Sequence, residues 1–358
     1  MTPAVAPSPA GASPAAPPAL RARGGAHLRP LWLLVGVGVL LGLVAASVGV
    51  GSREVGAREV LAALGAVLGG SVDGFDQASV AVRLPRTALA VLAGAALGVA
   101  GAVMQGVTRN PLADPSILGV NTGAALAVVV GIAFFGLTSA ASYAWVAIAG
   151  AAVAAGFVYT VGSLGRGGAT PLKLALAGAA TAAALTSLTT AVVLPRNDIA
   201  LGVRSWLVGG VGGATWGSVQ QVLPFLAAGA LVCLATARTL NSLALGDDLA
   251  AGLGERVALA RGVASAGAVV LCGATTAVTG PIAFVGLVVP HACRLLVGVD
   301  HRWLVPFSAV AGAALLTGAD VVGRVVARPA EIDVGIVTAL VGAPLFIALV
   351  RRQRIREL

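Results

Sequence analysis

Charge is scarce in this chain. Only 10% of its 358 residues are Asp, Glu, Lys or Arg, against about 25% in a soluble domain, which excludes a water-facing globule of this length. Histidine and cysteine are scarcer still, three of each, and neither stands at metal-ligand spacing. Cys233, Cys272 and Cys293 fall in or beside apolar segments, where a thiol behaves as a small hydrophobe packed between helices. His291 has no His, Asp or Glu at ligand spacing and reads as structural, so no metal site is expected. No Gly-Lys-Ser or Gly-Lys-Thr follows any glycine-rich turn, so the chain has no phosphate-binding loop and no means of hydrolysing ATP by itself. The apolar–polar alternation that a transmembrane β-barrel requires is also missing.

What is present is apolar length. Hydrophobic residues make up 58% of the chain, mean hydropathy is +0.96, and runs of about 20 apolar residues, enough to cross a hydrocarbon core of about 30 Å, recur from Leu31 to Val350. The class is all-α: a polytopic membrane protein with ten expected spans near 31–50, 87–107, 117–137, 142–162, 172–194, 222–238, 258–277, 282–299, 304–325 and 333–350. An even count puts both termini on one side. The basic ends, Arg21, Arg23 and Arg29 at the start and Arg351, Arg352, Arg354 and Arg356 at the finish, make that side cytoplasmic. The net charge of +9 therefore reads as topology rather than as nucleic-acid binding. Residues 1–29, rich in Pro, Ala and Ser, cannot bury enough apolar area to order and are expected to form a disordered tail. Residues 30–358 form a single transmembrane domain. The tail is a poor signal peptide, because the apolar run behind it starts late and is long enough to span. Gly94-Ala-Ala-Leu-Gly98 and Gly119-Val-Asn-Thr-Gly123 are small-xxx-small patterns that let helices approach closely.

Polar signatures punctuate these runs. Arg83-Leu-Pro-Arg86 precedes the second span; proline suits a first helical turn, so the pair is expected at that span's outer N-terminus. Cations there oppose the macrodipole by about 0.3–1 kcal/mol each. Lipid headgroups or the carboxylates of an external partner are the two ways to offset that cost. Asp320 and Arg324, four apart near the outer end of the ninth span, read equally as a helical self-pair or as functional groups. Between Arg238 and Arg261 lies the longest polar insertion, and Leu243 to Gly254 within it has the marks of a short cytoplasmic helix. Asp247 or Asp248 is expected to cap it, Gly254 to close it in the left-handed conformation, and Leu249, Ala250 and Leu253 to share a face for a groove on another protein. Pro290, inside Gly280-Pro-Ile-Ala-Phe-Val-Gly-Leu-Val-Val-Pro-His291, is expected to kink or end a helix. Asp300-His301-Arg302 reads as a topological turn.

Taken in order, Arg83-Leu-Pro-Arg86, Gly101-Ala-Val-Met-Gln105, Arg109-Asn-Pro-Leu-Ala-Asp-Pro115, Leu118-Gly119-Val120, Trp206-Leu-Val-Gly-Gly210, Leu240-Asn241 to Gly254, Gly280-Pro281 through His291 and Arg294, and Gly335 through Ala343-Pro-Leu-Phe346 resemble the blocks of the FecCD-type permeases, the membrane subunits of ABC importers for iron-siderophores, haem and vitamin B12. The resemblance runs from about Leu31 to Val350. It implies a dimer of ten-helix subunits, with itself or a paralogue, in a bacterial plasma membrane. It also implies a cytoplasmic ATPase pair that holds the ATP and Mg²⁺, an extracytoplasmic substrate-binding protein, and no cofactor on this chain. Arg83, Arg86 and Arg324 match outer arginines that receive the binding protein's carboxylates. Leu243, Leu245, Gly246, Asp247, Asp248, Leu249, Ala250, Leu253 and Gly254 match the coupling helices, with Asp247 where the family often has Glu. Thr170 and Pro171 match the cytoplasmic gate.

The implied mechanism is alternating access, with ATPase motion rocking helix bundles between discrete packings. A wide path with little charge suits bulky chelates that must leave again. An ion-coupled secondary transporter is the alternative. It needs ionisable groups near the midplane, for which Asp320 is the sole acidic candidate. A permease for free zinc or manganese would need His or carboxylate steps along the path, which three histidines at segment ends do not supply.

Overall fold

The computed structural model describes residues 28–51, 56–69, 74–111, 113–164 and 171–354, and among these the chain is all helix, with no strand. Two long helices form the spine: α3 (Phe75–Thr108) and α13 (His301–Val326) pack along each other more extensively than any other pair. α1 (Arg29–Gly49) lies against α13, and α2 (Ala57–Gly69) against the start of α3. α4 (Val120–Phe135), α5 (Ala140–Ser163) and α6 (Pro171–Val193) form a second group, joined to the spine by α11 (Val257–Thr279), which touches α3, α4, α5 and α8 (Trp216–Ala235). Short helices α7 (Asn197–Val208), α9 (Ala237–Leu243) and α10 (Asp247–Gly252) sit between the long ones, and α12 (Val285–Val297) and α14 (Val334–Arg354) complete the order.

Seven of these helices, α1, α3, α5, α6, α8, α11 and α13, are long and apolar enough to cross a membrane. Three shorter apolar helices, Val120–Phe135, Val285–Val297 and the Val334–Ala348 part of α14, fall on the remaining expected spans. The interior is small: Ala90, Ala93, Ala100 and Ala102 of α3 are fully buried, while Leu34, Leu41, Phe135, Trp145 and Leu176 point outward. That distribution suits lipid, where close packing rather than expulsion from water holds helices together. Gly94 and Gly98 meet Gly312 and Ser308 of α13 backbone to backbone, and Gly101 meets Gly286 of α12 in the same way. A methyl group at any of these glycines would land on a carbonyl of the neighbouring helix. Gly123 of α4 and Gly150 of α5 form an equivalent crossing.

Among the described residues, irregular backbone near residues 209–210 and 280–282 is bonded to neighbouring segments, as a membrane demands. Gly210 N–H donates to Thr279 O at 2.7 Å and Gly335 N–H to Gly209 O at 2.9 Å. Asn121 Nδ2 donates to Ile282 O at 3.1 Å.

Some expectations require correction. Span two does not begin near residue 87: α3 starts at Phe75, so Pro85 lies well inside the helix and Arg83 and Arg86 are not at its N-terminus. α8 begins at Trp216 rather than 222, because Thr215 and Ser218 form a reciprocal capping box there. α12 runs through Pro290 without ending. The tail, residues 1–27, lies outside the described residues.

Candidate functional site

Along α3, Arg86 and Thr108 stand about 33 Å apart at about 1.5 Å per residue, close to the thickness of a hydrocarbon core. A polar network occupies each end of that interval.

At the Arg86 end, the last turn of α1 leaves carbonyls with no intrahelical donor. Arg83 Nη1 donates to Val48 O at 3.0 Å and Gly49 O at 2.9 Å. Arg324 Nη1 donates to Ser47 O at 2.9 Å and Val50 O at 3.0 Å, and its Nη2 to Ser47 Oγ at 2.7 Å. Two guanidiniums from different helices thus cap α1, where the macrodipole favours positive charge. Asp320 supplies the countercharge, 2.9 Å from Arg324 Nη2 and 2.8 Å from Arg86 Nη2. Arg86 Nη1 also reaches Glu331 Oε2 at 2.6 Å. The three sequence-predicted arginines are therefore brought together. Two of them are buried within the chain, Arg324 at 1% and Arg83 at 7% exposure, and Arg86 is partly buried, with 12% of its side chain accessible. Of this network's acids, Glu331 is the open one, with 37% of its side chain accessible.

At the opposite end, α9 and α10 form a tight hairpin. Gly246 precedes α10 at φ +113° and no side chain caps it, so neither Asp247 nor Asp248 is the expected cap. Asp247 instead pairs with Arg261 of α11 at 2.8 Å and with Arg109, the residue that ends α3. Gly254 does close the helix as expected, at φ +88°. Its N–H reaches Ala251 O at 2.9 Å and Glu255 N–H reaches Ala250 O at 3.0 Å, the paired bonds of a Schellman motif. Leu243 and Ala250 are fully buried, while Leu245, Leu249 and Leu253 are 59%, 62% and 65% exposed. Three unpartnered leucines thus project from a hairpin anchored by its buried residues. Pro171 is the first residue of α6; Thr170 lies outside the described residues.

The FecCD transport family model matches residues 39–352. The chain belongs to that family. It is 48% identical over 274 residues to the iron(3+)-hydroxamate import system permease protein FhuB of Bacillus subtilis, covering 76% of this chain and 71% of that protein. It is 49% identical over 272 residues to the ferric enterobactin transport system permease protein FepD of Escherichia coli, covering 76% and 81%. A solved metal-chelate type ABC transporter in an inward-facing conformation superposes with a TM-score of 0.75 at 28% identity, covering 90% of this chain and 99% of that one. This FecCD member is accordingly a multi-pass membrane transport subunit, not the ATPase.

Two polar connections of this FecCD chain were not assigned a role from sequence. Pro290 cannot donate to Gly286 O, the acceptor four residues back. Gln105 Nε2 of α3 fills the vacancy, at 3.3 Å from Gly286 O and 3.2 Å from Leu287 O, while its Oε1 accepts from Arg294 at 2.8 Å. The proline thus converts an intrahelical bond into a bond between helices. The second connection joins Asn241 of α9 to Asp300 and His301 at the start of α13. Asp300 caps α13 through the Arg302 N–H at 3.0 Å. The Arg302 guanidinium, helped by Asn241, holds the Asp300 carboxyl well below the usual carboxylate range. Gln105 and Asn241 both lay inside recognised blocks, but their partners are distant in sequence.

Proposed function

We propose that this chain is the permease of an ATP-driven importer of iron-siderophore complexes in a bacterial plasma membrane, with haem or cobalamin as related cargo. It would cross the membrane ten times, by the seven long helices and the three shorter apolar ones, with both termini in the cytoplasm. A second copy or a paralogue completes the path, and metal chelates pass along the pair's axis. Two named relatives that handle ferric chelates support the choice of cargo.

The observation that carries this reading is the α9–α10 hairpin. Its exposed Leu245, Leu249 and Leu253 need an apolar groove, which a cytoplasmic ATPase dimer would provide. ATP and Mg²⁺ belong to that partner, and this chain needs no cofactor of its own. At the other mouth, the surface over Arg83, Arg86 and Arg324 would receive the substrate-binding protein. With those guanidiniums engaged internally, they shape and charge that surface, Arg324 from beneath it. Thr170 and Pro171 would mark the cytoplasmic gate.

The ion-coupled alternative loses ground on the same geometry. A coupling acid has to exchange its ion, whereas Asp320 is 2% exposed and held by two arginines.

The test is uptake of a ferric siderophore panel by proteoliposomes holding this chain, its cognate ATPase and its binding protein. Uptake that requires ATP and the ATPase supports the reading. Uptake driven by a proton gradient without the ATPase overturns it.

A further inference from the structure

Three hydrogen bonds meet at one side chain between the coupling hairpin and the spine. Asn241 Nδ2 donates to Asp300 Oδ1 at 2.7 Å. Its Oδ1 accepts from the His301 backbone N–H at 2.8 Å and stands 2.9 Å from His301 Nδ1. The partners fix every atom: a carboxylate can only accept and a backbone N–H can only donate, so the amide has one orientation, and His301 Nδ1 must carry the proton. His301 is itself buried, 6% exposed, with its ring against Gly106 near the end of α3. One amide therefore clasps α9 to the first turn of α13, at a point that also abuts α3.

Buried Leu240 and Leu243 pack α9 into the core, and the hairpin's other polar side-chain tie is weaker. Asp247 reaches Arg109 and Arg261, but 47% of its side chain is exposed, and such pairs contribute little in water. The chain itself joins the hairpin to α8 and α11. Asp247 reaches the end of α3 through Arg109, but neither tie touches α13 itself, which carries Asp320 and Arg324 in its far half. Asn241 does, through a charge-assisted bond and two bonds to the helix's first residue.

We propose that Asn241 is the positioning residue that passes movement of the α9–α10 hairpin to α13, so that ATPase motion reaches the far mouth through the clasp with Asp300 and His301. This rests on the importer reading above. Asn241 touches neither cargo nor nucleotide; it sets whether α13 follows the hairpin or slips against it. Gly94, Gly98 and Gly312, with Arg86 and Asp320, close the α3–α13 seam, so in this proposal α3 follows α13.

The experiment exchanges donor and acceptor. In proteoliposomes with the cognate ATPase and binding protein, siderophore taken up per ATP hydrolysed is measured for wild type, Asn241→Asp, Asp300→Asn and the double variant. Asn241→Asp sets two carboxylates against each other, and uptake per ATP is expected to fall about tenfold, within the usual range of coupling energies. The ATPase should still co-purify, because Leu245, Leu249 and Leu253 are untouched. Adding Asp300→Asn restores a donor–acceptor pair and keeps a good helix cap, so the ratio is expected to recover. If Asn241→Asp does not accumulate, Asn241→Ala, which removes the clasp without adding charge, is read for the same fall. A wild-type ratio in Asn241→Asp or Asn241→Ala, or no recovery in the double variant, overturns the proposal. ATPase-independent uptake by the wild type would instead overturn the importer reading, whatever the variants do.

Discussion

Arg86 grips Asp320 across the α3–α13 seam with two nitrogens on one oxygen, Nε at 3.0 Å and Nη2 at 2.8 Å from Oδ1. Asp320 thereby balances Arg86 and Arg324 together in a site almost closed to solvent. Asp320→Ala would leave both guanidiniums short of their shared countercharge. Breaking a buried pair in this way costs about 3–5 kcal/mol. Thermal unfolding in detergent should show a large loss of stability for Asp320→Ala; a near-wild-type transition would mean that the network contributes little.

Glycine at the spine crossing is a second point of strict demand. Gly94→Val would drive a side chain into the Gly312 carbonyl, and separation of α3 from α13 is expected to prevent accumulation of folded protein. Gly38→Ala in α1 is the matched control, since nothing lies within 4 Å of the added carbon. It should be neutral or stabilising by up to about 1 kcal/mol. Folded yield by size-exclusion chromatography distinguishes the two.

Gln105 and Pro290 should behave as a coupled pair. Gln105→Leu strands the Gly286 carbonyl and a nitrogen of Arg294, at a cost of about 1–3 kcal/mol. Pro290→Ala restores an N–H that can bond Gly286 O within α12. The double variant is therefore expected to lose less stability than the sum of the singles, read from a thermal-unfolding double-mutant cycle. Strict additivity would show that Gln105 does not serve the carbonyl freed by the proline.

Leu249→Asp places a charge at the centre of the hairpin's exposed apolar face. Because Leu249 packs against little within the chain, its stability should change by no more than about 0.5 kcal/mol, while co-purification of the ATPase is lost. Retained co-purification would place the ATPase contact elsewhere.

Helical class, apolar spans and the short helix ending at Gly254 were legible because each rests on local pattern: run length, a terminating glycine, leucines four apart. Less legible was anything set by distant partners. Pro85 looked like a helix start because the polar stretch before it masks ten further helical residues, 75–84. Capping by Asp247 or Asp248 was the local expectation, yet Gly246 takes the cap position with no side-chain bond, and Arg109 and Arg261 hold the Asp247 carboxylate from elsewhere in the fold. The most consequential case is the arginine trio. Sequence placed Arg83, Arg86 and Arg324 at one mouth but could not show that Ser47, Val48, Gly49 and Val50 of α1 use two of them as a cap. Charge reversal at Arg83 and Arg86 would therefore disturb folding and docking together, which makes those positions poor probes of the external partner.

The most direct test of the central claim compares wild type with Leu249→Asp in ferric siderophore uptake by proteoliposomes that carry the cognate ATPase and binding protein. The account predicts ATP-dependent uptake by the wild type and none by the variant, with both proteins equally folded. Equal uptake by the two, or wild-type uptake that follows a proton gradient with no ATPase present, would contradict it.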